Sequence, residues 1–175
     1  MTNALVICGS PRDPSRTRAL AERAAATLRD RNVDTAVLDL GTTQLDDFDG
    51  REHGAYDDTT TEAIERILAA DLLFMASPVY FGGMPGALKT LIDHIPYERF
   101  TDRQRSAGLL MTGRDRRHQH VLESQLRSTL VYLGVDVATP SVFLTEEGFD
   151  GVDLLADVDP YLGNTIDATI ALLDR

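Results

Sequence analysis

The residues best suited to chemistry follow the first apolar segment of the chain, in GSPRDPSRT at positions 9–17. Five side chains there donate hydrogen bonds or carry positive charge: Ser10, Arg12, Ser15, Arg16 and Thr17. Charge-assisted hydrogen bonds from such groups are strong and match phosphate oxygens. A helical pattern begins at Ser15, so the first backbone N–H groups of a helix lie here too. This set of donors predicts a site for a terminal phosphomonoester.

Other phosphate-binding loops do not fit this segment. A Rossmann G-x-G-x-x-G turn fails because Pro11 and Pro14 follow Gly9, and no G-x-x-x-x-G-K-[ST] is present. A cysteine phosphatase loop needs an arginine six positions after Cys8, where Pro14 stands. One structural alternative stays open: Ser15 only caps the helix, and the arginines only form a solvated basic patch.

A second segment, SPVYFGGMPGALKTLIDHI at positions 77–95, is suited to a flat ligand. Pro78 stiffens the exit from an apolar strand, and Gly82 and Gly83 let backbone approach a ring closely. We expect a heteroaromatic ring to lie on this loop. The alternative is that Tyr80 and Phe81 only plug the end of the sheet.

These segments sit among short apolar runs that alternate with helical patterns. The predicted strands are Ala4–Cys8, Thr35–Leu40, Asp71–Ser77, Ser106–Thr112 and Val135–Leu144. The predicted helices are Ser15–Arg31, Thr59–Ala70, Pro85–His94, His118–Leu133 and Pro160–Leu173. Alternation with short links indicates right-handed βαβ units. We therefore predict one α/β domain over residues 1–175, with a doubly wound five-stranded parallel sheet of order 2-1-3-4-5 and helices on both faces. Ligands bind beyond the carboxyl ends of such strands.

The composition narrows the class of partner. Acidic residues outnumber Lys and Arg by 28 to 17, giving a net charge of −11, with Lys89 the only lysine. Nucleic acids need a basic footprint, so they are excluded as partners. The Asp-rich, Lys-poor composition resembles that of salt-loving organisms; a high-GC genome is the alternative. One cysteine excludes an internal disulfide and an all-cysteine metal site. No apolar run near 18 residues and no signal peptide are seen, so a cytoplasmic location is expected.

The remaining candidates for chemistry have structural interpretations. His118 and His120 are two apart and cannot share a helix face, so no metal site is predicted. We expect His53 and His94 at the surface or at helix ends, and Cys8 in the core. Lys89 and Asp93 should pair along a helix, and residues 43–60 should form a polar surface loop.

Together, GSPRDPSRTRAL and SPVYFGGMPGALKTLIDHI resemble the NADPH-dependent FMN reductases of flavodoxin-like fold, over essentially the whole chain. The most similar subgroup serves sulfonate-desulfonating monooxygenases. The resemblance implies that the FMN phosphate is held by Ser10, Arg12, Ser15 and Thr17. It implies contacts to ribityl and isoalloxazine from Pro78, Val79, Tyr80, Phe81 and Gly82. The turn bordering the ring would be Thr112 and Gly113.

The activity implied is hydride transfer from the nicotinamide of NADPH or NADH to FMN. Reduced flavin would go to a partner monooxygenase, or electrons would pass to quinones, metals or azo compounds. The apolar stripe of the helix over residues 85–95 (Leu88, Leu91, Ile92 and Ile95) would form the face of a homodimer or homotetramer. A flavodoxin-type electron carrier is the alternative, and a redox-inert adaptor is a third. The absence of tryptophan and the open Gly82–Gly83 side favour the reductase.

The chain departs from the family at Arg114, where many relatives have a second glycine. Arg116 and Arg117 follow it. These arginines either recruit the NADPH phosphates or hold the negative charge of reduced flavin. The alternative is an arginine-rich helix start that pairs with the acidic surface.

Overall fold

Apolar residues fill the central strands because helices cover both faces of a parallel sheet. The structure is a computed structural model, and it describes residues 2–173. Two of the inner strands, Leu72–Pro78 and Ser106–Thr112, are buried at every position.

The bounds of the elements follow the predicted pattern closely. The strands are β1 (Asn3–Cys8), β2 (Asp34–Asp39), β3 (Leu72–Pro78), β4 (Ser106–Thr112), β5 (Asp136–Val137), β6 (Val142–Leu144), β7 (Phe149–Asp150) and β8 (Asp153–Leu154). The α-helices are α1 (Arg16–Asp30), α2 (Asp58–Ala69), α3 (Gly86–Asp93), α4 (Tyr97–Phe100), α5 (His118–Tyr132) and α6 (Asp159–Leu173). Short 3₁₀ turns occupy His53–Ala55, Glu146–Gly148 and Ala156–Val158.

The predicted sheet order is confirmed as β2-β1-β3-β4-β5, with all of these pairings parallel. In register, Cys8 faces Ala76 and Pro78 faces Thr112, so the carboxyl ends of β1, β3 and β4 meet at one edge. The loops that carry the predicted site residues therefore leave the sheet side by side.

Two apolar cores lie on opposite faces of the sheet. One is formed with α2, α3 and α5, and the other with α1 and α6. Helix α1 begins where Ser15 accepts a hydrogen bond from the Arg18 N–H, and α2 begins at Asp57 in the same way. Both caps satisfy backbone donors at a helix start. No helix within residues 2–173 has the length and apolarity needed to cross a bilayer.

The continuous strand predicted over Val135–Leu144 is wrong. The segment forms two short strands, β5 and β6, which both pair with β4. Pro140 lies between them and has no N–H to donate to a strand ladder, so pairing is interrupted there.

The apolar stripe of α3 does not form an exposed face. Leu88, Leu91 and Ile92 are buried in the core beside α2 and α5, and Ile95 packs against that core. The prediction that this stripe makes a dimer face is therefore wrong, because the sheet itself covers it. The expected pair of Lys89 and Asp93 is confirmed, with Nζ–O distances of 2.5 and 2.7 Å.

His94 ends α3 as expected, but it is buried, with 4% of its surface exposed. Its Nε2 lies 2.8 Å from the Asp46 carbonyl oxygen. Its ring packs edge-on against the Tyr56 ring, with 4.3 Å between the two ring centroids. The loop over residues 43–60 is thus fixed to the core by His94. Some of its acids bind the loop itself: the Asp46 carboxylate accepts the Asp57 N–H at 3.0 Å.

Candidate functional site

A cleft of about 750 Å³ opens at the carboxyl ends of β1, β3 and β4. All but two of the predicted site residues line it: Ser10, Arg12, Ser15, Arg16, Thr17, Pro78, Val79, Tyr80, Thr112, Gly113 and Arg114. Sites for cofactors and small ligands in proteins are commonly of this size. The topology therefore brings together three loops that are about 30 residues or more apart in sequence.

The two serines in the first loop keep their hydroxyl protons free. Ser10 Oγ accepts the Arg12 N–H at 3.3 Å, and Ser15 Oγ accepts the Arg18 N–H at 3.2 Å. A hydroxyl that already accepts one bond still has its own hydrogen to donate. Ser15 caps α1, where backbone N–H groups and the helix dipole also favour an anion, and Ser10 lies in the loop that leads from β1 to this helix. These donors fit a phosphate.

The two arginines of this loop form part of the cleft wall. The Arg12 guanidinium lies 5.9 Å from the centre of the Tyr80 ring. Arg16 donates from Nε to the Gly151 carbonyl oxygen at 2.8 Å and lies over the Phe149 ring. Arg16 therefore links the first loop to the β7–β8 hairpin and also keeps its positive charge at the cleft.

Arg18, the third arginine of this region, is not available to a ligand. It donates to Asp39 at 2.6 Å and to Asp13 at 2.8 Å. The Asp39 bond raises the pKa of Arg18. The alternative interpretation, in which the arginines of this segment form a solvated basic patch, does not hold for Arg18, because two carboxylates pair with its guanidinium.

Uncompensated positive charge is concentrated at the cleft. Among residues 2–173, three arginine side chains make no hydrogen bond or ion pair with the protein: Arg12, Arg114 and Arg116. Arg12 and Arg114 line the cleft, and Arg116 lines two adjoining pockets. On a chain of net charge −11, the free guanidinium group of Arg12 beside Ser10 and Ser15 marks the place in the cleft where an anion is favoured. Arg114 and Arg116 share their pockets with Glu146 and Glu147.

Arg117 differs from its two neighbours. It donates to both carboxylate oxygens of Asp115, at 3.0 and 2.8 Å. This bidentate pair lowers the pKa of Asp115 well below its usual range. The interpretation of an arginine paired with the acidic surface therefore applies to Arg117, whereas Arg114 and Arg116 remain free within the described chain.

The two predicted residues outside the cleft lining are Phe81 and Gly82. They occupy the centre of a tight turn in which Tyr80 and Gly83 exchange backbone hydrogen bonds of 2.9 and 3.0 Å. Both have positive φ, 49° and 82°, which is the type I′ geometry. The Phe81 ring is fully exposed, at 113%. The structure thus places this ring at the surface beside the cleft.

One wall of the cleft was missed by the sequence reasoning. It consists of Leu144, Thr145, Glu146, Phe149, Gly151 and Val152. The sequence does contain one signal for this wall: Gly151–Val152 is a two-residue hairpin turn between Asp150 and Asp153, with φ +63° at Gly151. Strands of two residues are too short to show an alternating pattern.

Gly113 is required by close packing under the cleft. A Cβ atom at this position would lie 2.7 Å from Phe143 Cζ. Its N–H donates to the Leu144 carbonyl oxygen at 3.0 Å, and the Val79 N–H donates to the Thr112 carbonyl oxygen at 2.9 Å. These bonds hold the loops after β3, β4 and β6 at fixed distances, which leaves a rigid floor for a planar ligand.

The cleft has neither a reactive cysteine nor, among the described residues, a set of metal ligands. Burial raises the pKa of the Cys8 thiol to about 11, so the thiol is neutral and poorly nucleophilic. Within the described part of the chain, no group of three or more His, Cys, Asp or Glu side chains could hold a metal ion. The Tyr80 hydroxyl is buried and has no partner among residues 2–173, so a ligand atom would satisfy it.

Comparison with known proteins agrees with this geometry. The family model described as NADPH-dependent FMN reductase matches residues 2–150. The NAD(P)H-dependent FAD/FMN reductase of Geobacillus thermodenitrificans is 31% identical over 125 residues, which cover 71% of this chain and 66% of that protein. The NADH-dependent FMN reductase SfnF of Pseudomonas fluorescens is 31% identical over 149 residues, covering 83% and 77%.

A solved structure is similar over a longer span. The apo form of the NADH:FMN oxidoreductase EMOB superposes with a TM-score of 0.78 at 28% identity, covering 95% of this chain and 87% of that one. Some curated matches are shorter: the chain spans about half the length of the FMN reductase (NADPH) of Pseudomonas aeruginosa.

Proposed function

This chain belongs to the NADPH-dependent FMN reductase family, and on that premise we propose that it transfers a hydride from NADPH or NADH to FMN bound in the cleft. The proposed unit is the single domain of residues 1–175. The product, reduced flavin, is released to a monooxygenase or passes its electrons to quinone, azo or metal acceptors. A cytoplasmic location is part of the proposal.

The observation that carries this proposal is the set of free donors at the start of α1. Ser10 and Ser15 have hydroxyl protons without an acceptor in the described chain, and the Arg12 guanidinium makes no hydrogen bond or ion pair there. A phosphomonoester of charge near −2 needs this combination, since each charge-assisted bond contributes roughly 1.5–3 kcal/mol. The terminal phosphate of FMN fits these donors.

The ring of FMN is assigned to the floor between Val79–Tyr80 and Thr112–Gly113. Both pairs line the cleft and are tied together by the Val79–Thr112 backbone bond. When bound, FMN supplies the N5 atom that accepts the hydride. The task of the protein is to hold the ring and leave one side open to the nicotinamide at near-attack distance. A proton-transfer side chain is not needed for this step.

A stopped-flow experiment tests the activity. The FMN-loaded protein is mixed with NADH or NADPH without oxygen, and the visible absorption of the flavin is followed. We expect it to bleach within seconds. Retention of FMN with no bleaching by either donor would leave a flavodoxin-type carrier, and no retention of FMN would leave a redox-inert adaptor.

A steady-state assay tests the fate of the flavin. Donor oxidation is measured with the FMN-loaded protein alone and with increasing free FMN. If flavin is a released substrate that supplies a monooxygenase, the rate saturates with free FMN. If flavin stays bound, the rate depends instead on an added quinone, azo compound or metal complex.

The proposal includes self-association, on a surface other than the buried α3 stripe. A neutral face runs from Phe81 along α5 to Tyr97; we call it the α5 face, and it consists of Phe81, Val121, Gln125, Ser128, Tyr132 and Tyr97. Val121 lies beside Gly82, Gln125 accepts the Met84 N–H at 2.8 Å, and the Tyr97 and Tyr132 rings are 5.7 Å apart. Four of these side chains are at least half exposed.

A second copy of the chain suits the α5 face because charge would oppose contact elsewhere. Two molecules of net charge −11 repel each other over most of their surfaces. None of the six residues of the α5 face is charged, and exposed apolar and aromatic side chains grouped as Phe81, Val121, Tyr132 and Tyr97 are here commonly mark interfaces. Sedimentation velocity should detect a dimer or tetramer; a monomer at all concentrations would contradict this part of the proposal.

A further inference from the structure

The side chain of Arg16 joins the start of α1 to the β7–β8 hairpin. Arg16 is the first residue of α1 and directly follows the cap Ser15. Its Nε donates to the Gly151 carbonyl oxygen at 2.8 Å, and its guanidinium carbon lies 5.6 Å from the centre of the Phe149 ring. We call these two contacts the Arg16 clasp. They connect parts of the chain that are 135 residues apart in sequence.

The Arg16 clasp closes one rim of the cleft. Arg16 and Gly151 both line the cleft, and so does Val152, the second residue of the hairpin turn. Because Arg16 is bonded to Gly151, the first loop and the hairpin meet at this point. Ser15, whose hydroxyl is one of the free donors for a phosphate, is the residue before Arg16 and lines the same cleft. The closed rim therefore lies beside the phosphate donors.

The hairpin turn depends on this clasp more than the base of the hairpin does. At the base, Phe149 is buried and Leu154 packs against the core formed with α1 and α6. Gly151 and Val152 are exposed, and within residues 2–173 the bond from Arg16 is the only side-chain hydrogen bond made to either of them. Loss of the Arg16 bond should therefore release the turn, while the base stays in place.

Negative charge lies next to the closed rim. Asp150 and Asp153 flank the hairpin turn, and both are exposed. Neither residue lines the cleft, so their carboxylates lie outside the space that a ligand would fill. A phosphate that passed this rim would approach two charges of its own sign.

From the closed rim and the charge beside it we infer that the Arg16 clasp makes the site selective for FMN over flavin adenine dinucleotide (FAD). The inference rests on the proposed function, which puts the flavin phosphate at the start of α1. A terminal phosphomonoester ends inside the rim. In FAD the same phosphate carries a second phosphate and an adenosine, which must pass between the first loop and the hairpin and then meet Asp150 and Asp153. Arg16 is thus a positioning residue, which acts on the choice of flavin through the hairpin.

Flavin binding without any electron donor tests this selectivity. The dissociation constants of FMN and FAD are measured by calorimetry for the unmodified protein, R16M and R23M. We expect the unmodified protein to bind FMN at least about ten-fold more tightly than FAD, and this ratio to fall about five-fold or more in R16M. Both flavins place a charged phosphate at the start of α1, so loss of the Arg16 charge weakens both, and the ratio reports the rim.

R23M is the matched control. Arg23 is also on α1, but its guanidinium donates to the Asp159 carboxylate at 2.7 and 2.8 Å and not to the hairpin. R23M removes the same charge from the same helix, and it should keep the ratio of the unmodified protein.

Hydrogen exchange shows whether Arg16 acts through the hairpin. Amide exchange over residues 149–154 should be faster in R16M than in R23M or the unmodified protein. A lower affinity ratio without faster exchange would mean that Arg16 acts on the ligand directly, and it would overturn the positioning role. Equal affinity of the unmodified protein for FMN and FAD, or an unchanged ratio in R16M, would overturn the selectivity and leave the proposed function standing. If the unmodified protein binds neither flavin, the proposed function fails and this inference fails with it.

Discussion

Thr17 and Thr112 share a buried hydrogen bond of 2.6 Å between their hydroxyl oxygens, although they are 95 residues apart in the chain. Thr17 lies in the first turn of α1, and Thr112 is the last residue of β4. Both side chains line the cleft. The bond thus fixes the phosphate-binding loop relative to the loop of Arg114, and it sets the distance across the proposed FMN site.

Removing one hydroxyl of this pair should cost both stability and flavin affinity. In T17V the Thr112 hydroxyl loses its partner, which we expect to lower the free energy of unfolding by about 1 kcal/mol. The double variant T17V/T112V should recover part of that loss, because neither position then carries an unpaired hydroxyl. Urea unfolding of T17V, T112V and the double variant measures the coupling. Strict additivity of the two single losses would show that the bond has no energetic role.

The phosphate assignment predicts a loss of FMN affinity in R12A and S15A. Each removes one donor, so the dissociation constant for FMN should rise about ten-fold per substitution. The quenching of FMN fluorescence on binding measures this dissociation constant.

S15A also removes the cap of α1, so D57A, which removes the equivalent cap of α2, is the matched control. D57A should lose similar stability, about 1 kcal/mol, and keep its FMN affinity. Unchanged affinity in R12A/S15A would refute the assignment.

The sequence alone was sufficient for the sheet and for most of the cleft. Long apolar strands and capped helices show strong local patterns, so their order and the position of Ser10, Val79 and Thr112 at one edge could be predicted. The wall formed by β7 and β8 could not be predicted, because each of these strands has only two residues and shows no alternating pattern. Burial of the α3 stripe and of His94 depends on which elements pack together, and an amphipathic pattern does not reveal whether its apolar face meets the same chain or another copy.

The freedom of particular arginines also could not be predicted. The segment RDRR at positions 114–117 has the same composition whichever arginine pairs with Asp115. Only the three-dimensional arrangement assigns Arg117 to that carboxylate and leaves Arg114 and Arg116 free among the described residues.

Arg105 should be essential for stability and irrelevant to flavin binding. It is 1% exposed, its guanidinium donates to the carbonyl oxygens of Phe100, Arg103 and Leu68, and burial lowers its pKa. R105M leaves these buried acceptors unpaired, and we expect a loss of about 3 kcal/mol. Arg105 precedes β4, at the opposite edge from the cleft, so folded R105M should bind FMN normally.

The neighbouring surface arginine provides the control. Arg103 pairs with Asp71 at a half-exposed position, and R103M should cost less than about 1 kcal/mol. Urea unfolding compares the two variants. Equal losses for R103M and R105M would contradict the role given to the buried guanidinium.

The raised pKa of Cys8 predicts a protected thiol and an alkaline loss of stability. The pKa of the folded thiol, about 11, lies above the ordinary value of 9.0, chiefly because of burial. At pH 8 the thiolate fraction is therefore about 100-fold lower in the folded state, and iodoacetamide should react at least that much more slowly than in urea. Between pH 9 and about pH 11 the unfolded thiol ionises first, so the unfolded state binds fewer protons and stability falls as pH rises.

The C8A variant isolates this contribution. It should lose some stability at every pH, because a buried sulfur is removed, but its unfolding free energy should fall less steeply above pH 9. Equal labelling rates in native and urea-unfolded protein would show that the thiol is not protected.

Replacing Phe81 by glycine should separate folding from self-association. Phe81 has φ +49° in a turn that suits glycine, and its ring is fully exposed, so the native conformation is strained without any compensating contact in the same chain. F81G relieves a cost of about 1 kcal/mol. At low protein concentration, urea unfolding should therefore show a more stable monomer.

The same substitution removes the largest apolar group at one end of the α5 face, so sedimentation velocity should show weaker association. V131S, which changes an exposed residue of α5 outside that face, is the control and should alter neither property much. If F81G gained stability and associated as before, Phe81 would be a strained surface residue and the partner would bind elsewhere.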